Sequence, residues 1–129
     1  MTAPSILYIG LPPNSTLIPK SANIDRDALD RSLQQTVRDC ISAGFDTVLC
    51  VFDPQELELF ENKLKERKWD AVITGFGVRG QPGLTAHFEK VVNLVREHDA
   101  SIKLGFNSYP SDTVDAARRL FPDVKPVAA

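Results

Sequence analysis

Residues 69–83 read WDAVITGFGVRGQPG. Ala71, Val72, Ile73 and Thr74 form a short apolar run without polar alternation, the pattern of a parallel strand covered on both faces. Gly75, Gly77 and Gly80 follow, with Gly83 after Pro82, and then Leu84, Phe88, Val91, Val92 and Val95 recur at helical spacing. The stretch therefore predicts a strand, a glycine-rich loop and a helix in immediate succession. Glycines at this density admit positive φ and bring backbone N–H groups close to a ligand. A helix N-terminus adds unpaired donors and partial positive charge. Arg79 adds a full charge and a planar fork of donors at the same place. The plainer alternative is a tight strand-to-helix turn with Arg79 as a solvated surface charge.

The rest of the chain repeats this strand–helix pattern. Ile6 to Gly10, ILYIG, is a first apolar strand, and Pro12 and Pro13 behind it stop the ladder and stiffen the exit. The connection to about Asp25 is long for such a loop; its mixture of Leu17 and Ile18 with Pro19, Lys20, Ser21 and Asn23 reads as a partly packed flap. A first helix is expected over Arg26 to Ala43, with Leu29, Leu33, Val37, Cys40 and Ile41 inward and Gly44 as its C-terminal cap. Thr47 to Phe52 is a second strand. Asp53, Pro54 and Glu56 then spell the start of a helix running to Lys68, with an N-cap acid, proline at the first position and a capping-box glutamate. Trp69 plugs the base of the core. After the central stretch come a helix from about Pro82 to His98, a fourth strand over Ile102 to Phe106, and a last helix opened by Ser111 and Asp112, burying Val114, Ala117 and Leu120 or Phe121. The residues from Pro122 to Ala129 are a short proline-bearing tail, and no linker or internal repeat divides the 129 residues.

Four strand–helix units in a row call for one α/β domain of three layers, with a four-stranded parallel sheet between helices. The expected strand order is 2-1-3-4, as in flavodoxin-like folds. Ligands then bind beyond the carboxyl ends of strands one and three, where the order reverses. The flanking segments are Leu11 to Ser15 and Gly75 to Gly80, so Pro12, Asn14 and Ser15 are candidate binding residues alongside Gly75, Gly77, Val78, Arg79 and Gly80. Asn107 and Ser108, at the end of the fourth strand, offer an amide and a hydroxyl to orient a substrate. Arg79 would pair a carboxylate or phosphate while backbone N–H groups of residues 77–80 complete an oxyanion cradle. Candidate proton carriers are His87, one or two turns into its helix, Asp53 at a strand end, and Tyr109. Each has a plainer role: amphipathic cover for His87, capping for Asp53, a turn residue for Tyr109. Cofactor-free lyase, isomerase or hydrolase chemistry is the enzyme class these groups suit.

Composition excludes other classes. A net charge of −2 with no basic run argues against nucleic acid or an acidic membrane surface, and no apolar stretch has the length of a membrane span. The start MTAPSILYIG lacks a basic segment before its apolar run, so the expected compartment is the cytoplasm. Cys40 and Cys50 fall on apolar faces without CxxC spacing and read as small buried hydrophobes. His87 and His98 lack metal-ligand spacing, so no metal is expected. GFGVRG satisfies GxGxxG literally, but on the third strand, and the following strand ends in Asn107 rather than an acid; no dinucleotide cofactor is expected.

WDAVITGFGVRG, the GLPP exit of the first strand and the ending FNSYPSDTVDAARRLFP together resemble a set of small uncharacterised α/β proteins that share a GFGVRG loop, an FN-type strand end and a D-T-V-x-A-A-R-R helix. That resemblance implies the fold and the importance of Gly75, Gly77, Arg79 and Asn107, and carries no activity with it. More distantly the layout is similar to a receiver domain, but GLPP and GFGVRG stand where that family needs its acidic pair and phosphoacceptor aspartate. A second functional class follows from that layout: a non-catalytic, receiver-like module that forms a homodimer or docks onto another protein through sheet edges left open.

Overall fold

A computed structural model describes residues 3–18 and 23–127, so Pro19, Lys20 and Ser21 of the expected flap lie outside the described residues. The strands are β1 (Ser5–Gly10), β2 (Asp46–Val51), β3 (Ala71–Thr74) and β4 (Lys103–Phe106). All pair in parallel, in the order β2-β1-β3-β4. Helices α1 (Arg26–Ser42), α2 (Leu57–Lys65), α3 (Phe76–Arg79), α4 (Thr85–His98) and α5 (Thr113–Leu120) complete the chain, and short 3₁₀ turns precede α2, α4 and α5.

Alternation along β1 divides the core. Leu7 and Ile9 face α2 and α4 with Phe52, Phe60 and Trp69, whereas Ile6 and Tyr8 face α1 and α5 with Leu33, Cys40 and Phe45. Adjacent strand residues point to opposite faces, so a central strand buried on both sides must be apolar throughout, as ILYI is. Trp69 closes the first of these clusters as expected: it is buried, its indole N–H donates to the Lys63 carbonyl at 3.1 Å, and the Arg67 guanidinium lies 4.3 Å from its ring centroid. Both thiols are buried, and burial pushes that of Cys40 up to about 11, so it stays protonated and inert.

Local signals set most boundaries. The Asp25 carboxylate accepts from the Asp27 and Ala28 N–H groups at 3.0 and 3.1 Å and starts α1. Its buried stripe is Leu33, Thr36 and Cys40, rotated from the expected one: Ile41 is 47% exposed. Thr36 turns inward because its hydroxyl donates to the Pro110 carbonyl at 3.1 Å, a partner 74 residues away. The opening of α5 also differs from expectation. Ser111 is exposed and the capping is done by Asp112, whose carboxylate accepts from the Ser108 and Tyr109 N–H groups at 3.0 and 3.2 Å. The buried residues of α5 are Thr113, Ala116 and Ala117, with Val114, Leu120 and Phe121 packed at their margin. The tail forms no fifth strand among the described residues; Val124 packs on the α1/α5 cluster and the Val127 N–H donates to the Ser42 carbonyl at 2.9 Å.

Gly44 ends α1 at φ +105°, and a Cβ there would drive into Val124 and the Lys125 carbonyl. Gly44→Ala is expected to cost about 1–3 kcal/mol, measured by urea denaturation. A loss under roughly 0.5 kcal/mol, the range of neutral surface changes, would mean that the tail is not packed against this turn.

Candidate functional site

The segment expected to be an open glycine loop is ordered differently. Gly75 is the N-cap of α3 at φ −69°, Gly80 follows it at φ −89°, and of the seven glycines in the chain the one at positive φ is Gly44. Two of the expected cradle donors are spent locally: the Val78 N–H donates to the Gly75 carbonyl at 3.1 Å and the Gly80 N–H to the Phe76 carbonyl at 2.7 Å. Burial of Val78 drives this. A helical turn swings its side chain into a cluster with Leu11, Ile18 and Leu84, and apolar burial of a valine is worth about 1.5–3 kcal/mol. Gly80 lets the Phe76 ring lie against the backbone, since a Cβ there would fall 2.5 Å from ring carbons.

Arg79 is also occupied. Its guanidinium donates to the Asn107 carbonyl at 3.0 Å and lies 5.1 Å from the Phe76 ring centroid and 5.7 Å from that of Phe106. Stacked between two rings, it ties α3 to the end of β4.

A crevice of about 400 Å³ opens beyond the carboxyl ends of β1, β3 and β4, on the α1/α5 face. Gly10, Gly75 and Gly77 give it backbone walls; Leu29 and Leu33 of α1 and Ile18 give it apolar ones; Asn107, Ser108 and Tyr109 border it at the end of β4. Five expected site residues, Gly75, Gly77, Asn107, Ser108 and Tyr109, therefore meet here. The other eight, Arg79, Val78, Gly80, Pro12, Asn14, Ser15, Asp53 and His87, are not in its lining. Ile24, Phe76 and Tyr109, at 45%, 48% and 68% exposure, form an apolar rim.

Asn107 is buried and its amide is fully used within the fold. Oδ1 accepts from the Phe76 N–H at 2.9 Å, while Nδ2 donates to the Tyr8 hydroxyl at 3.1 Å and the Thr113 hydroxyl at 2.9 Å. The expected substrate-orienting amide is thus a brace. Tyr8, unmarked within an apolar strand, is the polar residue it presents to the crevice. Burial pushes the Tyr8 phenol up, against the opposing pull of Thr113 and Asn107, so the group keeps its proton.

The remaining candidates lie outside the crevice. Ser15 is buried and its hydroxyl donates to Asp53 at 2.5 Å, while Arg26 donates to the Pro13 and Ser15 carbonyls, each at 2.8 Å. Pro12 accepts from the Ser15 N–H at 2.9 Å, and Asn14 is exposed. These bonds pin the β1 exit between α1 and the end of β2, a structural role for Asp53 beyond the capping box it forms with Glu56. His87 is more buried than a marginal helix position implies, at 6% exposure, packed edge-on against Phe52 at 5.6 Å. Among the described residues its Nε2 is the buried side-chain polar atom without a partner. Burial, then nearby Lys90, holds its pKa below the ordinary 6.5, with Asp53 pulling weakly upward.

Among the described residues no group of three or more His, Cys, Asp or Glu side chains converges as a metal site, and no helix is long and apolar enough to cross a membrane. Comparison of the chain with protein-family models, with curated proteins and with solved structures gave no match.

The unfolded chain binds a proton at His87 more readily than the fold does. The contribution of His87 to stability is therefore fully present above pH 6.5 and falls as pH drops from that value towards the lower folded one. His87→Leu, which removes the orphaned nitrogen, is expected to be neutral or stabilising at neutral pH and to flatten that decline. Urea denaturation of both proteins between neutrality and about pH 5 checks it; parallel pH profiles would remove His87 as the cause.

Proposed function

We propose that this protein binds a small, mainly apolar molecule in the crevice beyond β1, β3 and β4. The observation that carries this reading is the pair Gly10 and Gly77. Neither has positive φ, and a Cβ at either position would meet nothing within 4 Å. The fold would accept a side chain at both places, and glycine weakens a strand or helix by roughly 0.5–1 kcal/mol relative to alanine. What both glycines supply is open space, and both line the crevice.

The volume lies at the lower end of the range for small-molecule sites, about 300–1,000 Å³. None of the described lining residues is charged, so among them the carboxylate or phosphate first suggested by Arg79 finds no counter-charge. Tyr8 and Tyr109 are the titratable groups among the described lining residues, and a phenol is a poor base at neutral pH. These features favour binding over proton-transfer chemistry. The exposed Ile24, Phe76 and Tyr109 at the mouth suit an occupant that covers part of the rim.

The test is thermal stability against a panel of neutral ring compounds and of carboxylated and phosphorylated metabolites, for the wild type, Gly77→Phe and Arg79→Ala. A ligand at a hundredfold excess over its Kd stabilises the fold by about 2.7 kcal/mol, a rise in Tm of several degrees for a domain of this size. Neutral ring compounds are expected to raise the midpoints of the wild type and Arg79→Ala and to leave Gly77→Phe unmoved. Stabilisation by anions alone, lost in Arg79→Ala, would replace this reading with an anion site at Arg79.

A further inference from the structure

Two aromatic residues of this chain are exposed while the others are buried or half-buried, and both line the crevice: Phe76 at 48% and Tyr109 at 68% exposure. A ring left in water forgoes the apolar burial that stabilises a fold. Phe76 is nevertheless held in place. Its N–H donates to the Asn107 amide oxygen at 2.9 Å, and its carbonyl accepts from the Gly80 N–H at 2.7 Å. The Arg79 guanidinium stands over its ring, 5.1 Å from the centroid. Gly80 makes the seat of that ring, because a Cβ there would fall 2.5 Å from two of its carbons. The backbone of Gly80, at φ −89°, suits any residue, so what this glycine provides is room. A side chain with two rotatable bonds, already seated, has little ordering left to undergo when a ligand arrives.

We propose that Phe76 is the specificity-determining residue of the crevice, stacking its ring on a planar aromatic ring system of the ligand. This rests on the crevice reading and adds the ligand's chemical class, which is the flat ring, whatever charge its substituents carry. Aromatic rings attract one another in offset or edge-to-face packing through their quadrupoles, beyond what buried area alone gives. Arg79 over the Phe76 ring is a cation–π contact that keeps the ring where the ligand meets it. The absent side chains at Gly10 and Gly77 leave backbone walls without projecting atoms, and a flat ring lies against such a wall where a puckered one stands off. Leu29, Leu33 and Ile18 supply apolar contacts, and Tyr109 is a second ring at the rim.

The experiment compares naphthol with decahydronaphthol, the same bicycle and hydroxyl, flat in one and puckered in the other, by calorimetry on the wild type, Phe76→Leu, Gly80→Ala and Gly77→Phe. The readout is the ratio of the two affinities, compared between proteins so that the probes' own hydrophobicity cancels. Phe76→Leu keeps an apolar side chain and removes the ring, and the ratio is expected to move about two- to tenfold towards the saturated probe. Gly80→Ala keeps the ring and pushes it from its seat, and is expected to move the ratio in the same direction. Gly77→Phe fills the crevice and loses both probes. A ratio unchanged in Phe76→Leu overturns the stacking role and leaves the crevice reading standing. A ratio that moves in Phe76→Leu and not in Gly80→Ala overturns the requirement that the ring be held. Failure of both probes to bind the wild type, or wild-type affinity for both in Gly77→Phe, overturns the crevice reading and the stacking role with it.

Discussion

The side-chain amide of Asn107 is the contact on which the carboxyl-terminal end of the sheet depends. It joins the end of β4 to the first N–H of α3, to Tyr8 on β1 and to Thr113 at the start of α5, and the Tyr8 bond spans 99 residues of chain. Parallel strands leave their carboxyl ends unpaired, and backbone donors there need partners. One buried amide meets that need for the exit of β3 and sets the direction of the tyrosine beside it. Because the polar atoms involved are shielded from water, loss of any one leaves others unpaired, which makes such a network costly to disturb.

Polar groups inside and outside the crevice are put to different uses. The crevice on the α1/α5 face is apolar, with no charge among its described lining residues. Outside it, Ser15, Asp53 and Arg26 spend their hydrogen bonds on fastening the β1 exit, and His87 is packed against Phe52 as if it were another aromatic. A serine, an aspartate and a histidine near strand ends invite a catalytic reading. Their burial and partners make two of them fasteners and the third a core ring with a depressed basicity. Arg79 is exposed, with one N–H held by the Asn107 carbonyl and its guanidinium near the Phe76 and Phe106 rings.

The architecture and the neighbourhood of the crevice were legible in the chain. Runs such as ILYI and AVIT need cover on both faces, and helical spacing between them leaves few ways to provide it; the order β2-β1-β3-β4 followed. The switch between β1 and β3 pointed to the end of the sheet where the crevice opens, and Gly75, Gly77, Asn107, Ser108 and Tyr109 do border it. The conformation at Gly75–Gly80 was not legible. Its glycines admit many backbone states, and the choice was made by Val78, which finds Leu11, Ile18 and Leu84 only once the elements have packed. Tyr8 was hidden for a related reason: in a strand buried on both faces, a phenol reads as one more large apolar residue until its oxygen meets a partner from the far end of the chain.

The sequence by itself determined which segments are strands and helices, how they alternate and at which end of the sheet a crevice would open, because these follow from local periodicity, caps and the handedness of strand–helix–strand units. The tertiary structure alone decided which polar groups are tied up within the fold. Asn107 and Ser15 look free when read along the chain, and each is bonded to a partner at least 38 residues away; the exposed Arg79 gives one N–H to the Asn107 carbonyl. Availability is what remains after every buried donor and acceptor has been paired, and that accounting closes only when the whole fold is assembled.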